Sequence, residues 1–203
     1  FSLSFLLYRV FVVYQLGNII EALGYFLPAI YLPTYARTLG ATGLTASLTL
    51  ILVNLASVAG CIIMGTLVDR YHATTCILIS TIGSTLAVFF LWGFSTSLTP
   101  LYIFCIAYGA FAGSFSSTWP AILTEVRKSN HFTDTGIVFG FLSTGRGIGN
   151  VVSGPLSESL LSTGVWKGSA GAYGNGYGSL IVFTGITAFV GGLSVVARQM
   201  RLV

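Results

Sequence analysis

Charge is what this sequence has least of. Only 7% of its 203 residues are charged, nine Lys or Arg and five Asp or Glu, where a soluble domain carries about 25%. So few charges cannot cover a water-facing surface, which excludes an ordinary soluble domain. Cysteine is sparse as well. Cys61, Cys76 and Cys105 are odd in number, lack C-x-x-C spacing and lie in or beside apolar segments, so they read as small buried hydrophobes, not as a disulfide frame or zinc site. No metal or cofactor is expected. Both histidines, His72 and His131, fall in polar connections, and no HExxH or GxSG motif occurs. An intramembrane hydrolase would therefore lack its nucleophile, base or metal ligands. The NPA and Pro-x-Asp/Glu-x-x-Lys/Arg repeats of other six-helix channels and carriers are missing too. The net charge of +4 comes from basic residues placed singly or in pairs, with no basic stripe for nucleic acid.

What is present is hydrophobic length. The composition is 54% hydrophobic and 14% aromatic, with a mean hydropathy of +0.88. Six segments, about 10–39, 44–68, 76–94, 101–123, 135–157 and 177–197, approach or exceed the ~20 residues a helix needs to cross a hydrocarbon core. No alternating ten-residue pattern marks a β-barrel, and helices satisfy their own backbone groups in lipid. The expected fold is all-α, a polytopic membrane bundle of six helices forming a single domain over 1–203. Six crossings put both ends on one side, together with Arg9, Arg70, Arg127, Lys128, Arg198 and Arg201; only Arg37 and Lys167 lie opposite. The positive-inside rule makes the side of both ends cytoplasmic. The chain begins at Phe1 within an apolar stretch and reads as a piece of a longer protein.

Glycine is abundant, with 25 residues. Gly109 and Gly113, Gly136 and Gly140, and the run Gly145, Gly149, Ser153 and Ser157 place small residues four apart, the spacing that lets helix backbones approach in lipid. Pro28 and Pro33, Pro120 and Pro155 interrupt the first, fourth and fifth spans. The stretch GSAGAYGNGYG, residues 168–178, has no preceding strand and is expected to be a flexible Gly-rich loop, not a phosphate loop.

The few polar groups at membrane depth carry the functional expectations. Arg146 is near the middle of the fifth span, where an Arg costs about 2.5–3.5 kcal/mol on insertion scales, so it must face protein or a wet cavity. Asn150 follows four residues later on the same helical face, and the two can hold an anionic or strongly polar substrate group. In the first span, Tyr14, Asn18, Glu21 and Tyr25 form one polar stripe. Glu21 is a candidate proton carrier, since burial disfavours the charged form of a carboxyl; the rival is an ion pair with Arg146 that holds the bundle together. Asn54 stands alone in the second span as a buried amide needing a partner. In the fourth span, Tyr108, Phe111, Phe115 and Trp119 form an aromatic stripe that reads first as packing.

Between the second and third spans lies GTLVDRYHATT, residues 65–75. One reading is a solvated turn. The other has Gly65 admitting a neighbouring helix whose positive N-terminal end meets Asp69. Gly65, Leu67, Asp69 and Arg70 resemble the first half of the Gly-x-Leu-x-Asp-Arg signature of the major facilitator superfamily, while His72, Ala73 and Thr74 replace its later glycine and basic residues. LGYFLPAIYLPTYARTLG, residues 23–40, is similar to the seventh helix of fungal monocarboxylate-transporter-like members, and DTGIVFGFLSTGRGIGNVVSGPLSESL, residues 134–160, to the eleventh.

The resemblance implies helices seven to twelve of a twelve-helix transporter, built as inverted three-helix repeats at about 1–98 and 99–203. It also implies alternating access for a small organic solute, including a monocarboxylate or other organic anion, with proton symport. The partner is the N-terminal six-helix half in a lipid bilayer, the plasma membrane before an organelle membrane. Gly65, Asp69 and Arg70 become a conformational latch, and Arg146, Asn150, Asn18, Tyr14, Tyr25 and Asn54 the substrate-binding candidates. Asn54 stands near the position of an Asp in animal monocarboxylate transporters, without the Arg that follows there, which weakens their mechanism for this chain. A truncated or inactive half acting through another membrane protein is the alternative.

Overall fold

The computed structural model describes residues 4–129 and 134–193. A 3₁₀ turn at Ser4–Leu7 leads into α1 (Arg9–Thr38), followed by α2 (Gly43–Val68) and α3 (Ala73–Leu86), which runs on as a π-helical turn, Ala87–Trp92. Next come α4 (Leu98–Ala112), a 3₁₀ turn at Phe115–Thr118, α5 (Trp119–Ser129), α6 (Thr135–Ser162), a 3₁₀ turn at Gly171–Asn175 and α7 (Gly178–Gly191). No strand occurs among the described residues. The expected first three spans correspond to α1, α2 and α3 with its π turn. The fourth is α4 and α5 joined through the 3₁₀ turn, so about six helical segments form one all-helical bundle. Arg9–Thr38, Gly43–Val68, Ala73–Trp92 and Leu98–Lys128 are each long and apolar enough to cross a membrane. α6 is long but more polar, and residues 194–197 of the sixth expected span, with Arg198 and Arg201, lie outside the described residues, as does His131.

The helices alternate in direction, and hydrogen bonds pin both ends. On one side the Tyr14 and Thr74 hydroxyls lie 3.3 Å apart, joining the start of α1 to the start of α3. On the other, the Tyr35 hydroxyl donates to the Ser95 carbonyl, joining the end of α1 to the end of the π turn. In the π turn, Gly93 N–H donates to Val88 O, one residue further back than in an α-helix. Such a wide turn leaves carbonyls for other donors, and the Tyr173 hydroxyl uses Phe89 O at 2.9 Å. Ala172 N–H also donates to Gly93 O and Ala172 is fully buried. Residues 171–178 of the Gly-rich stretch thus form a plug packed on the π turn, where a flexible loop was expected, because Ala172 and Tyr173 find sites there, while Gly168, Ser169 and Ala170 stay exposed.

Glycine sets the closest helix contacts. A Cβ at Gly60 would run into the backbone of Ala110, and one at Gly109 into Val53 O, so α2 and α4 touch nearly backbone to backbone. Gly145 and Gly149 face Gln15, Ile19 and Ala22, seating α6 on α1, with Ser153 and Ser157 buried on the same stripe. The Gly136–Gly140 pair differs from expectation. Gly140 has open space around it and Gly136 meets only the Asp134 carboxylate that caps its own helix, so that pair makes no helix contact among the described residues.

Candidate functional site

The seam between α1 and α6 collects most of the polar atoms at depth. Glu21 is twelve residues into α1 and Arg146 eleven into α6, about 16–18 Å along each axis at ~1.5 Å per residue. Both are near mid-helix and they meet: Arg146 Nη1 donates to Glu21 Oε2 at 2.5 Å, with side-chain exposures of 11% and 5%. The guanidinium also lies over the Tyr25 ring, 4.3 Å from its centroid, and 5.6 Å from that of Phe115. Two aromatic faces and one carboxylate therefore compensate the cation in a low-dielectric setting. A second carboxylate brought here would leave the site net negative unless Glu21 gained a proton.

Around this pair the other predicted residues divide. Asn18 is fully buried and its Nδ2 donates to Leu142 O at 2.8 Å. Tyr14 is buried near the end of the bundle, bonded to Thr74. Both fasten α1 to its neighbours and neither borders the open face. Tyr25 does: it stacks on Arg146, makes an edge-to-face contact with Phe26 at 5.1 Å, and gives its carbonyl to the Tyr108 hydroxyl at 3.0 Å. Asn150 borders a cavity of about 290 Å³ with Phe26, Ile30, Val151, Ser153 and Gly154, and its Oδ1 has no hydrogen-bond partner. Asn54 is a correction. It is exposed, not buried, and meets its amide's needs on its own helix by donating to Leu50 O at 2.8 Å. In so apolar a helix the exposed side carries no sequence mark, and Asn54 is exposed at the edge of the α2 contact with α1 and α4. It nevertheless lines a narrow space of about 50 Å³ with Tyr25, Phe26, Ser57 and Tyr108.

The expected latch is exposed at the α2–α3 turn. Asp69 caps the C-terminus of α2, its N–H donating to Gly65 O, and neither the Asp69 carboxylate nor the Arg70 guanidinium forms an ion pair among the described residues. A Cβ at Gly65 would meet nothing within 4 Å, so no helix packs on Gly65 among the described residues. Asp69 instead borders a cavity of about 290 Å³ whose wall includes His72, Glu125 and Lys128. Sequence reasoning missed this cluster. His72 Nε2 lies 3.2 Å from Glu125 Oε1, which also accepts from Lys128 Nζ at 2.9 Å, tying the start of α3 to α5. The i,i+3 spacing of Glu125 and Lys128 was the available signal. Gln15 was missed too; its Nε2 donates to Phe141 O at 2.8 Å beside the Asn18 bond. The only signal was its place one turn before Asn18 on α1. Among the described residues no group of three or more His, Cys, Asp or Glu side chains could hold a metal ion.

Such a bundle, with membrane-length helices and a compensated charge pair at mid-depth, defines a multi-pass integral membrane protein. Comparison with known proteins makes the class specific: the Major Facilitator Superfamily pattern matches residues 16–198, and the chain belongs to that family. Relatives include an MFS-type transporter of Aspergillus fumigatus, 31% identical over 99% of this chain and 42% of its own. The MFS transporter asaE of Aspergillus flavus is 26% identical over 96% of this chain and 42% of its own length. The agnestins efflux protein AgnL12 of Paecilomyces divaricatus is 25% identical over 92% and 40%. The chain thus spans about two fifths of the length of these curated relatives.

Proposed function

We propose that this chain is the C-terminal half, helices seven to twelve, of a secondary transporter that carries a small organic solute across a membrane by alternating access. The observation that carries this reading is the seam of α1 and α6. A buried Glu21–Arg146 pair sits at mid-depth, with Tyr25, Phe26, Asn54 and Asn150 opening from it onto one face. Ionisable groups at that depth mark solute or ion pathways, and substrate sites of this transporter class lie near the midplane between repeats. The N-terminal six-helix half closes the face. In this arrangement Asp69 and Arg70, exposed at the α2–α3 turn, meet the other half and weight the two orientations. The side bearing residues 69–72 and 125–128 is cytoplasmic, as the basic residues require, and the membrane is the plasma membrane.

Cargo and coupling divide on Arg146. An organic anion such as a monocarboxylate requires the guanidinium to leave Glu21, and proton uptake by Glu21 is the step that would release it, giving symport. An uncharged cargo leaves the pair intact. The test is solute uptake into vesicles by the full-length protein, with and without a pH gradient. Arg146→Ala is expected to abolish uptake while insertion persists; unchanged uptake removes Arg146 from the pathway. If Glu21 carries the proton, Glu21→Gln yields uptake without pH dependence. Loss of the Glu21→Gln protein from the membrane makes the pair purely structural.

A further inference from the structure

Resting on that transporter reading, we infer that the solute taken by this face is uncharged and largely apolar, a ring compound carrying hydrogen-bonding oxygen or amide groups, and not a carboxylate. Two independent features support it. The first is that the cation at depth is already spoken for. Arg146 has Glu21 at 2.5 Å on one edge and the rings of Tyr25 and Phe115 against its planar head, and little of it is exposed. An incoming carboxylate must either displace Glu21, stranding a buried anion, or add a second anion beside it; both are costly where water does not screen.

The second feature is the chemistry of the exposed walls. The two spaces on this face share Phe26, which is 40% exposed. Its ring is edge-on to Tyr25, with Ile30, Val151 and Asn150 lining the space on one side of it and Asn54 the space on the other. None of the residues lining either space is ionisable except Tyr25 and Tyr108. Asn150 Oδ1 is unpartnered but buried, reached by a solute only as the Asn150 amide turns toward the space it lines, and the exposed Asn54 commits one N–H to Leu50 O. Each amide thus keeps hydrogen-bonding capacity, and neither supplies charge. An apolar lining with a few fixed neutral polar groups orients a ring system by stacking and a small number of hydrogen bonds. A neutral cargo also needs no counter-charge to cross mid-membrane, so Glu21 and Arg146 stay joined throughout the cycle.

The test is equilibrium binding of a matched pair of tritiated probes, 2-naphthamide and 2-naphthoate, to the purified full-length transporter. Accessibility of single cysteines from the two membrane faces is measured in parallel. The amide is expected to bind at least about tenfold tighter than the acid. Phe26→Ala and Asn150→Leu are each expected to weaken amide binding about fivefold or more while leaving expression and thermal stability in place. Tighter binding of naphthoate, removed by Arg146→Gln, overturns the inference and leaves the transporter reading intact. Saturable binding of neither probe also overturns it. Cysteines that never exchange accessibility between the two faces overturn the transporter reading itself.

Discussion

Two of the seams in this bundle, α2–α4 and α1–α6, are made of different materials. Between α2 and α4 the closest contacts are made by small residues, with a hydrogen bond from the Tyr102 hydroxyl to Thr45 O at 3.0 Å near the helix starts. Gly60 lies on the backbone of Ala110, Gly109 on Val53 O and Gly113 on Ser57. Between α1 and α6 glycines also bring the helices close, but the contact is written in polar atoms: Gln15 and Asn18 donate to successive carbonyls, Phe141 and Leu142, Arg146 meets Glu21, and Tyr31 bonds Ser157 at 2.9 Å. In lipid there is no hydrophobic drive between helices, so close van der Waals contact and hydrogen bonds replace it. The first seam relies mainly on contact. The second uses directional bonds between groups that are mostly buried between the helices, while Tyr25 and Asn150 of the same two helices border the open spaces. The α2–α4 seam therefore answers to added bulk, and the α1–α6 seam to the loss of a polar partner.

The sharpest way to break that comparison is Arg146→Ala. It leaves Glu21 buried without its counter-charge, which costs about 3–5 kcal/mol, and is expected to lower the thermal stability of detergent-solubilised protein most. Recovery of most of that loss in Glu21→Gln/Arg146→Gln would place the cost in the stranded charge, not in lost packing. Next comes Gly60→Val, which has no room against Ala110 and is expected to cost about 1–3 kcal/mol as an overpacking change. Gly140→Val, placed in open space, should fall within about 0.5 kcal/mol of the parent. Equal effects of the two would remove the α2–α4 seam from the account. Asn18→Leu deletes one bond to Leu142 O and is expected to cost about 0.5–1.5 kcal/mol, read in the same melt. Smallest in stability is Asp69→Asn at an exposed turn, within about 0.5 kcal/mol. Its measurable effect is a shift between inward- and outward-facing cysteine accessibility, and a silent variant leaves Asp69 and Arg70 a solvated turn.

Much of this was legible in the residues and some of it could not be. Hydrophobic runs separated by short polar connections placed the helices within a few residues, because span length is set by bilayer thickness. The pairing of Glu21 with Arg146 was legible as one of two readings, since isolated opposite charges at the same depth must find compensation. Asn54 was misplaced for a physical reason: lipid is as apolar as the bundle interior, so a membrane helix need not carry the polar face that tells inside from outside in a soluble one. The same blindness hid the open surroundings of Gly140. The π turn at Ala87–Trp92 and the plug that answers it are long-range matters, fixed by where Tyr173 lands, and no local pattern announces them. The His72–Glu125 contact likewise joins residues that only the packing of α3 on α5 brings together.

The central claim is that Glu21 and Arg146 act as one compensated unit across the α1–α6 seam. A double-mutant cycle on the full-length protein, with Glu21→Gln, Arg146→Gln and the double variant followed by unfolding free energy, measures that directly. The account predicts a coupling of at least about 1.5 kcal/mol, within the range for residues in contact. Additive single effects, within about 0.5 kcal/mol, would contradict it.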